Sequence, residues 1–367
     1  MKKTIVWITP DWFYDVDWPI VNELVKYYDV KWFVIWNVFS KRDIPDNPNI
    51  YQFIRLSYRV KDIRNLFTYY RLLKYVQKLN PRVVYNGFDG VPFFYPMAYH
   101  MLDPKIFIME GHEVNPVRRV PNGWLATTCF NYIIRKIGHV HVFSRFVGKE
   151  LDSLYPGVQY TYIPRIPKDY GLPKEKLSYD QRKIFLFFGN IRKNKRLDIL
   201  LKAFSELDSN YQNRAQLLVY GSCELSMEDE FRQIVDKCKN VELHFGFASD
   251  DLIPDLFTSA SFLVLPYESI SQSGPNMIAY NYGLPIIATD IDGFTERIEH
   301  DKNGFIFPKN NVDSLKKLLM KCIDLTDSDY KTLKLNLSNY VKKEFALDVV
   351  IKKYISMIDS VITTNQN

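Results

Sequence analysis

Residues 260–285 read ASFLVLPYESISQSGPNMIAYNYGLP, and this stretch decides the fold. Its first six residues form an apolar run that is typical of a buried strand. Pro275 suits the first turn of a short helix, because the N–H that proline lacks would have no partner there. Gly283 suits a left-handed helix end, and Pro285 prevents the helix from continuing. The stretch therefore predicts a strand, a loop of small residues and an open helix N-terminus.

A loop of this kind favours the binding of an anion. The first N–H groups of a helix have no partner within the helix, and the helix dipole favours negative charge at that end. We therefore predict that a diphosphate lies against the loop.

Strands and amphipathic helices alternate on both sides of this stretch. The first half has apolar strands at residues 4–8, 30–35, 83–85, 105–109 and 140–144. The second half has them at 183–188, 216–220, 241–245, 262–265, 285–289 and 304–307. This alternation predicts the α/β class, with two Rossmann-like, doubly wound domains that face each other across a cleft.

The domain boundaries follow from composition. Residues 166–182 are polar, contain two prolines and a glycine, and have no sustained apolar period, which is typical of a linker. We expect an N-terminal domain at 1–165, a C-terminal domain at 183–345 and a terminal helical segment at 346–367.

Length and charge limit the function classes. A chain of 367 residues with 47% apolar residues supports two full cores. A net charge of +6 suits phosphorylated or membrane-surface partners without indicating nucleic acid. The N-terminus does not resemble a signal peptide, and no apolar run reaches the ~18 residues of a membrane span. The expected location is the cytoplasm, with the inner face of the membrane as an alternative. The scattered cysteines (Cys129, Cys223, Cys238 and Cys322) indicate reduced thiols.

A second feature lies after the first strand of the C-terminal domain. Residues 187–198 place a turn at Gly189 before a cluster of cations, namely Arg192, Lys193, Lys195 and Arg196. Arginine offers a planar fork to phosphate oxygens, and lysine offers a mobile point charge. A solvated basic loop is the alternative. Both this loop and the Ser273 loop leave the same edge of one sheet, so both can face one ligand.

These residues carry a resemblance to a known family. The ordered series is Gly189 with Arg192 and Lys195, then 219–222 (VYGS), 244–247 (HFGF), 266–268 (PYE), 283–289 (GLPIIAT), 292–296 (DGFTE) and 303–307 (NGFIF). It resembles the donor-binding domain of GT-B glycosyltransferases, specifically the retaining family 4.

The resemblance implies a role for each position. Arg192 and Lys195 would neutralise the diphosphate of a nucleotide-sugar donor, after the turn at Gly189. In the loop at 272–276, Gln272 would lie beside the backbone N–H groups of Ser273, Gly274 and Asn276, which would bind the distal phosphate and the sugar. The turn at Phe247 would hold the base. The terminal helix would return to the N-terminal domain, and neither a cofactor nor a metal is expected.

The sequence departs from the family pattern at three positions. The family has two glutamates separated by seven residues; Glu268 fills the first place, and Asn276 stands at the second, which usually holds the ribose hydroxyls. Asparagine can donate and accept hydrogen bonds there without a charge. Asn190 and Asp292 replace a usual arginine and a usual glycine. Glu268 itself is either a site residue or a surface acid.

The N-terminal half matches less closely. His112 follows a strand, and in related enzymes a histidine at such a place lies near the donor sugar; a structural histidine is the alternative. The aromatic and acidic residues of 10–18 would contact a sugar acceptor or pack as core. Ser144 resembles a family position that supports the domain interface. Asp290 and Asp292 form the acid-x-acid pattern that binds metals in a different glycosyltransferase fold, but they follow a strand in the place of a structural turn, so no metal is expected there. His139 and His141 alternate on a strand without an obvious third ligand.

Residues 55–82 form a basic segment with interleaved aromatic residues. It carries eight cations and one acid, Asp62. Such a segment suits an anionic membrane surface and a lipid-linked acceptor, or it is a solvated helix face. Nucleic acid is not an expected partner, because no RNA-binding module is present.

The sequence therefore predicts a glycosyltransferase of cell-surface polysaccharide synthesis, with a nucleotide-sugar donor and a glycan or lipid-linked acceptor. The alternatives are a nucleotide-sugar epimerase of the same fold and a catalytically silent sugar-nucleotide-binding partner subunit.

Overall fold

A computed structural model describes residues 2–37, 40, 46–88, 91, 93–115, 124–175, 177, 182–270 and 273–365, without the side chains of residues 124–126 and 129. The chain divides into two compact units. The N-terminal unit is Met1–Ile166 with Ala346–Asn367, and the C-terminal unit is Pro167–Phe345. Each unit is described by itself below.

The N-terminal unit is built on a parallel sheet that has seven strands among the described residues. The strands are β1 (Thr4–Pro10), β2 (Asp29–Trp36), β3 (Ile50–Arg55), β4 (Val83–Asn86), β5 (Phe107–Gly111), β6 (His139–Val142) and β7 (Tyr160–Tyr162). Their order is β3-β2-β1-β4-β5-β6-β7, which is the Rossmann order extended by one strand. The helices are α1 (Tyr14–Leu24), α2 (Leu66–Leu79), α3 (Phe94–Met101), α4 (Trp124–Ile134) and α5 (Arg145–Leu154).

Both faces of this sheet are buried. Val6 and Ile8 belong to one hydrophobic cluster, and Ile5 and Trp7, which alternate with them, belong to another on the opposite face. Burial on both faces explains why these strands are continuous apolar runs.

The C-terminal unit repeats the plan with six strands in the described residues. They are β8 (Lys183–Phe188), β9 (Ala215–Gly221), β10 (Val241–Phe245), β11 (Phe262–Leu265), β12 (Ile286–Thr289) and β13 (Gly304–Phe307). Their order is β10-β9-β8-β11-β12-β13, and all neighbours are parallel. The helices are α6 (Leu197–Ser205), α7 (Ser209–Asn213), α8 (Leu225–Ile234), α9 (Ile253–Ser259), α10 (Gly274–Asn281), α11 (Asp292–Thr295), α12 (Val312–Asp324) and α13 (Asp327–Phe345). The predicted class, α/β with two doubly wound parallel sheets, is confirmed.

The segment predicted as a linker contains no helix or strand among its described residues. From Pro167 onward it is grouped with the C-terminal unit. The backbone N–H groups of Lys174 and Leu177 donate to the side chains of Asp255 and Ser259, at 2.7 and 2.8 Å.

The last helix, α14 (Leu347–Thr364), lies in the N-terminal unit. Its residues Val350, Ile351 and Tyr354 join the cluster that contains Trp7, so the chain end completes the core of the first unit. None of the helices in the described part of the chain has the length and apolarity that crossing a membrane requires.

Candidate functional site

The strand order places a ligand site in the C-terminal unit. The chain leaves β8 toward β9 on one side and reaches β11 on the other, so the order reverses between β8 and β11. In open parallel sheets, ligands bind beyond the carboxyl ends of the strands at such a reversal. The loops that leave β8 and β11 are the two that the sequence singles out.

Glycine is required in the turn after β8. Gly189 has a φ of +111°, which favours glycine, and a Cβ there would lie 3.2 Å from Cγ of Pro275. The backbone of Gly221, at the end of β9, lies so close to the Gly189 turn that a Cβ on Gly221 would be 2.0 Å from the carbonyl oxygen of Gly189. These contacts hold the Gly189 turn against both the next strand and the start of α10.

The two loops converge, as the sequence predicts. The N–H of Glu268 donates to the carbonyl of Asn194 at 2.9 Å, and Nδ2 of Asn194 donates to the carbonyl of Ser269 at 3.3 Å. Nζ of Lys195 lies 3.6 Å from the centroid of the Tyr267 ring. The cationic turn and the helix N-terminus therefore border one place at the sheet edge.

Lys195 is held in an environment that disfavours its charge. Burial, together with the nearby charge of Arg192, lowers the pKa of Lys195 to about 7. The Tyr267 face compensates in part through a cation–π contact. A multivalent anion at this place would restore the charge of Lys195, because an opposite charge favours the protonated amine.

The other cations of the turn differ in availability. Arg192 is exposed and precedes the short 3₁₀ turn Lys193–Lys195. Arg196 instead forms two hydrogen bonds with the carboxylate of Asp198, at 3.0 and 2.9 Å, and also contacts Asn310. Arg196 is thus neutralised locally, which leaves Arg192, Lys193 and Lys195 for a ligand.

The start of α10 offers a second set of groups. Ser273 is its N-cap residue with extended backbone and makes no side-chain capping bond, and Pro275 lies in the first turn. Gly283 has a φ of +60°, as predicted for the end of this helix. The predicted donors Ser273, Gly274 and Asn276 therefore lie in the N-cap and first turn, whereas Gln272 lies outside the described residues.

Asn276 is the most unusual residue at this edge. It is 1% exposed, and neither its Oδ1 nor its Nδ2 has a hydrogen-bond partner among the described residues. A buried amide without partners is costly, so such groups usually meet a ligand or water. Its position beside the helix N-terminus fits the predicted contact with a polar ligand.

Glu268 and Phe247 are both exposed, at different places along the edge. Glu268 follows β11 beside Asn194, and its charge adds to the effect of Asp198, whose hydrogen bonds are the main cause of the raised pKa of the Arg196 guanidinium. Phe247 is 88% exposed and follows β10, the outer strand, two strands away from β8. With strands about 4.8 Å apart, that is a lateral offset of roughly 10 Å between β10 and β8.

Sequence reasoning did not identify Tyr267 as part of the site. Its ring supports Lys195, and its carbonyl accepts a hydrogen bond of 2.6 Å from Oγ1 of Thr289 on β12. Proximity to Glu268 was the available signal, since Tyr267 lies within the same motif. Gly293, the retained glycine of the later turn, also supports this loop, because a Cβ there would lie 2.6 Å from the carbonyl of Ile270.

The N-terminal unit holds His112 in a separate network. Nε2 of His112 lies 2.7 Å from Glu110, and Nδ1 accepts a hydrogen bond of 3.3 Å from Arg165. An arginine donor at Nδ1 places the proton of the neutral ring on Nε2. The ring stacks on Phe143, with centroids 4.8 Å apart. Both ring nitrogens are therefore engaged inside this unit, and the role of His112 toward a donor sugar stays a prediction.

Glu110 connects further buried polar groups. Tyr85 donates its hydroxyl to Glu110 at 2.8 Å and lies 2.6 Å from Nδ1 of His141, whose Nε2 lies 2.9 Å from the carbonyl of Ile163. Burial lowers the pKa of His141 to about 4. Because the Ile163 carbonyl can only accept, neutral His141 carries its proton on Nε2, and the single hydroxyl proton of Tyr85 goes either to Nδ1 of His141 or to Glu110.

Asp17 lies in the same part of the N-terminal unit. Its carboxylate accepts hydrogen bonds from Nε1 of Trp7, at 2.9 Å, and from Thr9. Burial, with the nearby charge of Glu110, raises the pKa of Asp17 to about 7. With Phe13, Phe143 and Arg165, these acids line a small pocket. The 10–18 loop thus contributes core contacts through Phe13 and Asp17, while Trp12 is 38% exposed.

The remaining candidates have structural roles. Ser144 caps α5, since its Oγ accepts a hydrogen bond of 3.1 Å from the N–H of Val147. Asp290 accepts from the N–H of Lys309 at 2.8 Å. Within the described ranges, no three histidine, cysteine or acidic residues are grouped as a metal site would require. Cys223, Cys238 and Cys322 are free thiols, and the Cys129 side chain lies outside the described part.

Comparison with known proteins agrees with the fold. Residues 172–343 match the model of the family described as glycosyl transferases group 1. An uncharacterized glycosyltransferase of Haemophilus influenzae is 24% identical over 311 residues, which covers 81% of this chain and 82% of that protein.

Two solved structures show the same fold. Sucrose-phosphate synthase from Thermosynechococcus elongatus superposes with a TM-score of 0.78 at 13% identity, over 99% of this chain and 100% of that chain. Anabaena HepE in complex with UDP-glucose superposes with a TM-score of 0.71 at 13% identity, over 97% and 99% of the two chains. The predicted GT-B fold is confirmed.

Proposed function

We propose that this chain, a glycosyltransferase of the GT-B fold, transfers a sugar from a nucleotide-diphosphate donor to a hydroxyl group of a glycan or lipid-linked glycan. We further propose that the anomeric configuration is retained and that the product is a cell-surface polysaccharide. The observation that carries the donor assignment is the convergence of the Gly189 turn and the N-terminus of α10 at the strand reversal. A similar fold in a protein that binds UDP-glucose is consistent with it.

The donor would lie along the carboxyl edge of the C-terminal sheet. Its diphosphate would contact Lys195, Arg192 and the first N–H groups of α10, which are the cationic and donor groups of this edge. Asn276 would bind the ribose hydroxyls with its orphaned amide. Phe247 would stack on the base, because the roughly 10 Å offset between β10 and β8 suits a nucleoside next to its diphosphate.

Catalysis would come from stabilising the departing diphosphate. As the glycosidic bond breaks, negative charge grows on the leaving phosphate oxygen, and fixed cations and N–H groups stabilise that charge. Lys195 would act most strongly once the anion restores its proton. The carboxylate of Glu268 would accept hydrogen bonds from sugar hydroxyls. This scheme needs no enzyme nucleophile, metal or cofactor.

A binding experiment tests the donor assignment. The chain would be screened by thermal shift with UDP, GDP, ADP and CDP sugars; a ligand at 100 times its Kd stabilises the folded state by ~2.7 kcal/mol. Lys195→Ala should abolish the shift of the best ligand. Lys183→Ala is a matched control, since Lys183 also lies over a tyrosine ring (5.0 Å from Tyr330) but at the opposite end of β8.

A turnover assay then tests the reaction. Hydrolysis or transfer of the bound donor, with an α or β product identified by NMR, would support transfer with or without retention. Tight binding with no turnover for any donor and acceptor would instead identify a silent sugar-nucleotide-binding subunit. Equal binding by the wild-type protein and Lys195→Ala would remove the proposed diphosphate site.

A further inference from the structure

The positive charge of this protein is concentrated in one segment. Residues 55–82 carry eight lysines and arginines and one acid, a net charge of +7, whereas the whole chain carries +6. The other 339 residues together therefore carry one net negative charge. We call the exposed side of this segment, formed by residues 58–64 and α2, the basic face.

Helix geometry gathers the charges of α2 on one side. The buried residues of α2 are Tyr69, Leu72, Leu73 and Val76. The exposed residues Phe67, Tyr70, Arg71, Lys74 and Lys78 fall on the opposite side. At 100° per residue, these five positions span an arc of about 100° and a length of about 16 Å.

The same face carries exposed apolar side chains. Ile63 is 67% exposed and Phe67 is 69% exposed, one helical turn apart. Tyr58, Tyr70 and Tyr75 are also exposed. Arg71 lies 5.8 Å from the Phe67 ring centroid, and Lys74 lies 5.4 Å from that of Tyr70, so cations and rings alternate along the helix.

The single acid of the segment does not oppose this charge. Both carboxylate oxygens of Asp62 accept hydrogen bonds from the Arg64 guanidinium, at 2.9 and 2.7 Å. Arg64 in turn lies over the Tyr58 ring at 3.8 Å. Asp62 therefore pairs with Arg64 at the start of the basic face and does not pair with the cations of α2.

We propose that the basic face docks on an anionic lipid bilayer, with Ile63 and Phe67 inserted at the boundary between headgroups and acyl chains. Charge complementarity favours an anionic partner, and the exposed apolar pair distinguishes a bilayer from a nucleic acid. Isoleucine cannot stack on a base or pair with a phosphate, but it gains by leaving water. The proposal adds a docking surface to the proposed function and does not depend on the donor.

The test is sedimentation of the full chain with vesicles. Neutral vesicles of phosphatidylcholine would be compared with vesicles that contain roughly a third phosphatidylglycerol. Each lysine or arginine near such a surface contributes about fivefold in partitioning, so Arg71→Gln, Lys74→Gln and Lys78→Gln together should weaken binding about a hundredfold. Ile63→Ser with Phe67→Ser should weaken it about tenfold.

A matched control removes the same charge elsewhere. Lys331→Gln, Lys342→Gln and Lys343→Gln change three exposed lysines of α13 in the C-terminal unit. This variant should bind anionic vesicles as the wild-type protein does, apart from a small change from the lower net charge. Thermal melting of both triple variants checks that they are folded, and Lys74→Arg should retain binding.

Three results would overturn the proposal. The first is equal binding of the wild-type protein to neutral and anionic vesicles. The second is an equal loss of vesicle binding in the two triple variants. The third is a short RNA or DNA that binds more tightly than the vesicles and displaces them at the same ionic strength. Binding that is specific to anionic vesicles, decreases with salt and depends on both the cations and the apolar pair would support it. None of these readouts requires a nucleotide sugar.

Discussion

Binding of a nucleotide sugar should be accompanied by proton uptake at Lys195. In the free protein, burial and the charge of Arg192 lower the pKa of Lys195 to about 7. A diphosphate beside Nζ favours the charged amine and should return its pKa toward the ordinary value near 10.4. A nucleotide sugar is a suitable ligand, because its diphosphate is a diester that does not titrate between pH 6 and 8.

The number of protons taken up follows from the pKa change of Lys195 on binding. With a free pKa of about 7, Lys195 is about one-tenth uncharged at pH 6, half at pH 7 and nine-tenths at pH 8. Uptake should therefore rise from about 0.1 to 0.5 to 0.9 protons per ligand bound. The dissociation constant should increase about fivefold from pH 7 to pH 8, because most of the lysine must then be protonated on binding.

Isothermal titration calorimetry measures this uptake. Titrations in buffers with different ionisation enthalpies, at each pH, give the number of protons as the slope of the observed heat. Lys195→Arg, which stays charged, should bind with no uptake, and Lys183→Ala should behave as wild type. If the wild-type protein takes up no protons at pH 8 while it binds the ligand, the interpretation of Lys195 as the diphosphate contact is wrong.

Further predictions concern stability, turnover and the ribose site. Asp17 has a pKa raised to about 7, so the folded state binds its proton more tightly than the unfolded chain; the contribution of Asp17 to the free energy of unfolding should fall by up to ~4 kcal/mol as pH rises from 4 through 7, opposite in sign to that of His141, whose pKa is lowered to about 4. Asp17→Asn should remove that slope in denaturant unfolding, and an unchanged slope would contradict the assignment. Lys195→Ala should lower the turnover rate at least tenfold with Tm retained, whereas an unchanged rate would remove Lys195 from the mechanism. Asn276→Glu should strengthen nucleotide binding several-fold if Asn276 contacts the ribose, and weaker binding by a variant of unchanged Tm would argue against that contact.

The strands that position the site could be predicted from sequence because both faces of each sheet are buried. Residues 262–265 and 285–289 read as continuous apolar runs for that reason, and the structure has β11 and β12 there. None of the residues of the edge strand β3 (Ile50–Arg55) is fully buried, and Gln52 interrupts its apolar residues, so it carries no such continuous run and was not predicted. Helix α1 begins at Tyr14, within the 10–18 segment, and Phe13 rather than an Asx or Ser residue precedes it.

Helices covered on one side were harder to predict. The helix α13 (Asp327–Phe345) buries few of its residues, so its apolar period is weak. The strand β5 runs from Phe107 to Gly111 rather than 105–109, because a 3₁₀ turn at Pro104–Ile106 precedes it. The end of β5 matters for the site of the N-terminal unit, since it carries Glu110.

Charge and burial at the candidate site could not be predicted from residue types alone. Four cations in residues 192–196 suggest one uniform patch, but the fold gives them different states. Arg196, whose backbone is left-handed at a φ of +47°, is neutralised by its contacts with Asp198. Lys195 is half-buried against Tyr267, and Arg192 is exposed. Only the tertiary contact between the two loops distinguishes them.

Asn276 and Lys195 both border the sheet edge at which the two loops meet. A buried carboxylate at 276 would act on Lys195 from the start of α10, and a negative charge within this poorly solvated edge would raise the pKa of the amine. With asparagine there, the free site contains a half-charged lysine and a neutral amide, so the ligand itself must supply the negative charge. Asn276→Glu should therefore reduce the proton uptake at pH 8 while it adds a ribose contact. If Asn276→Glu changes both the nucleotide affinity and the proton uptake, the side chain at position 276 acts electrostatically on Lys195. If it changes the affinity alone, position 276 acts through hydrogen bonds only.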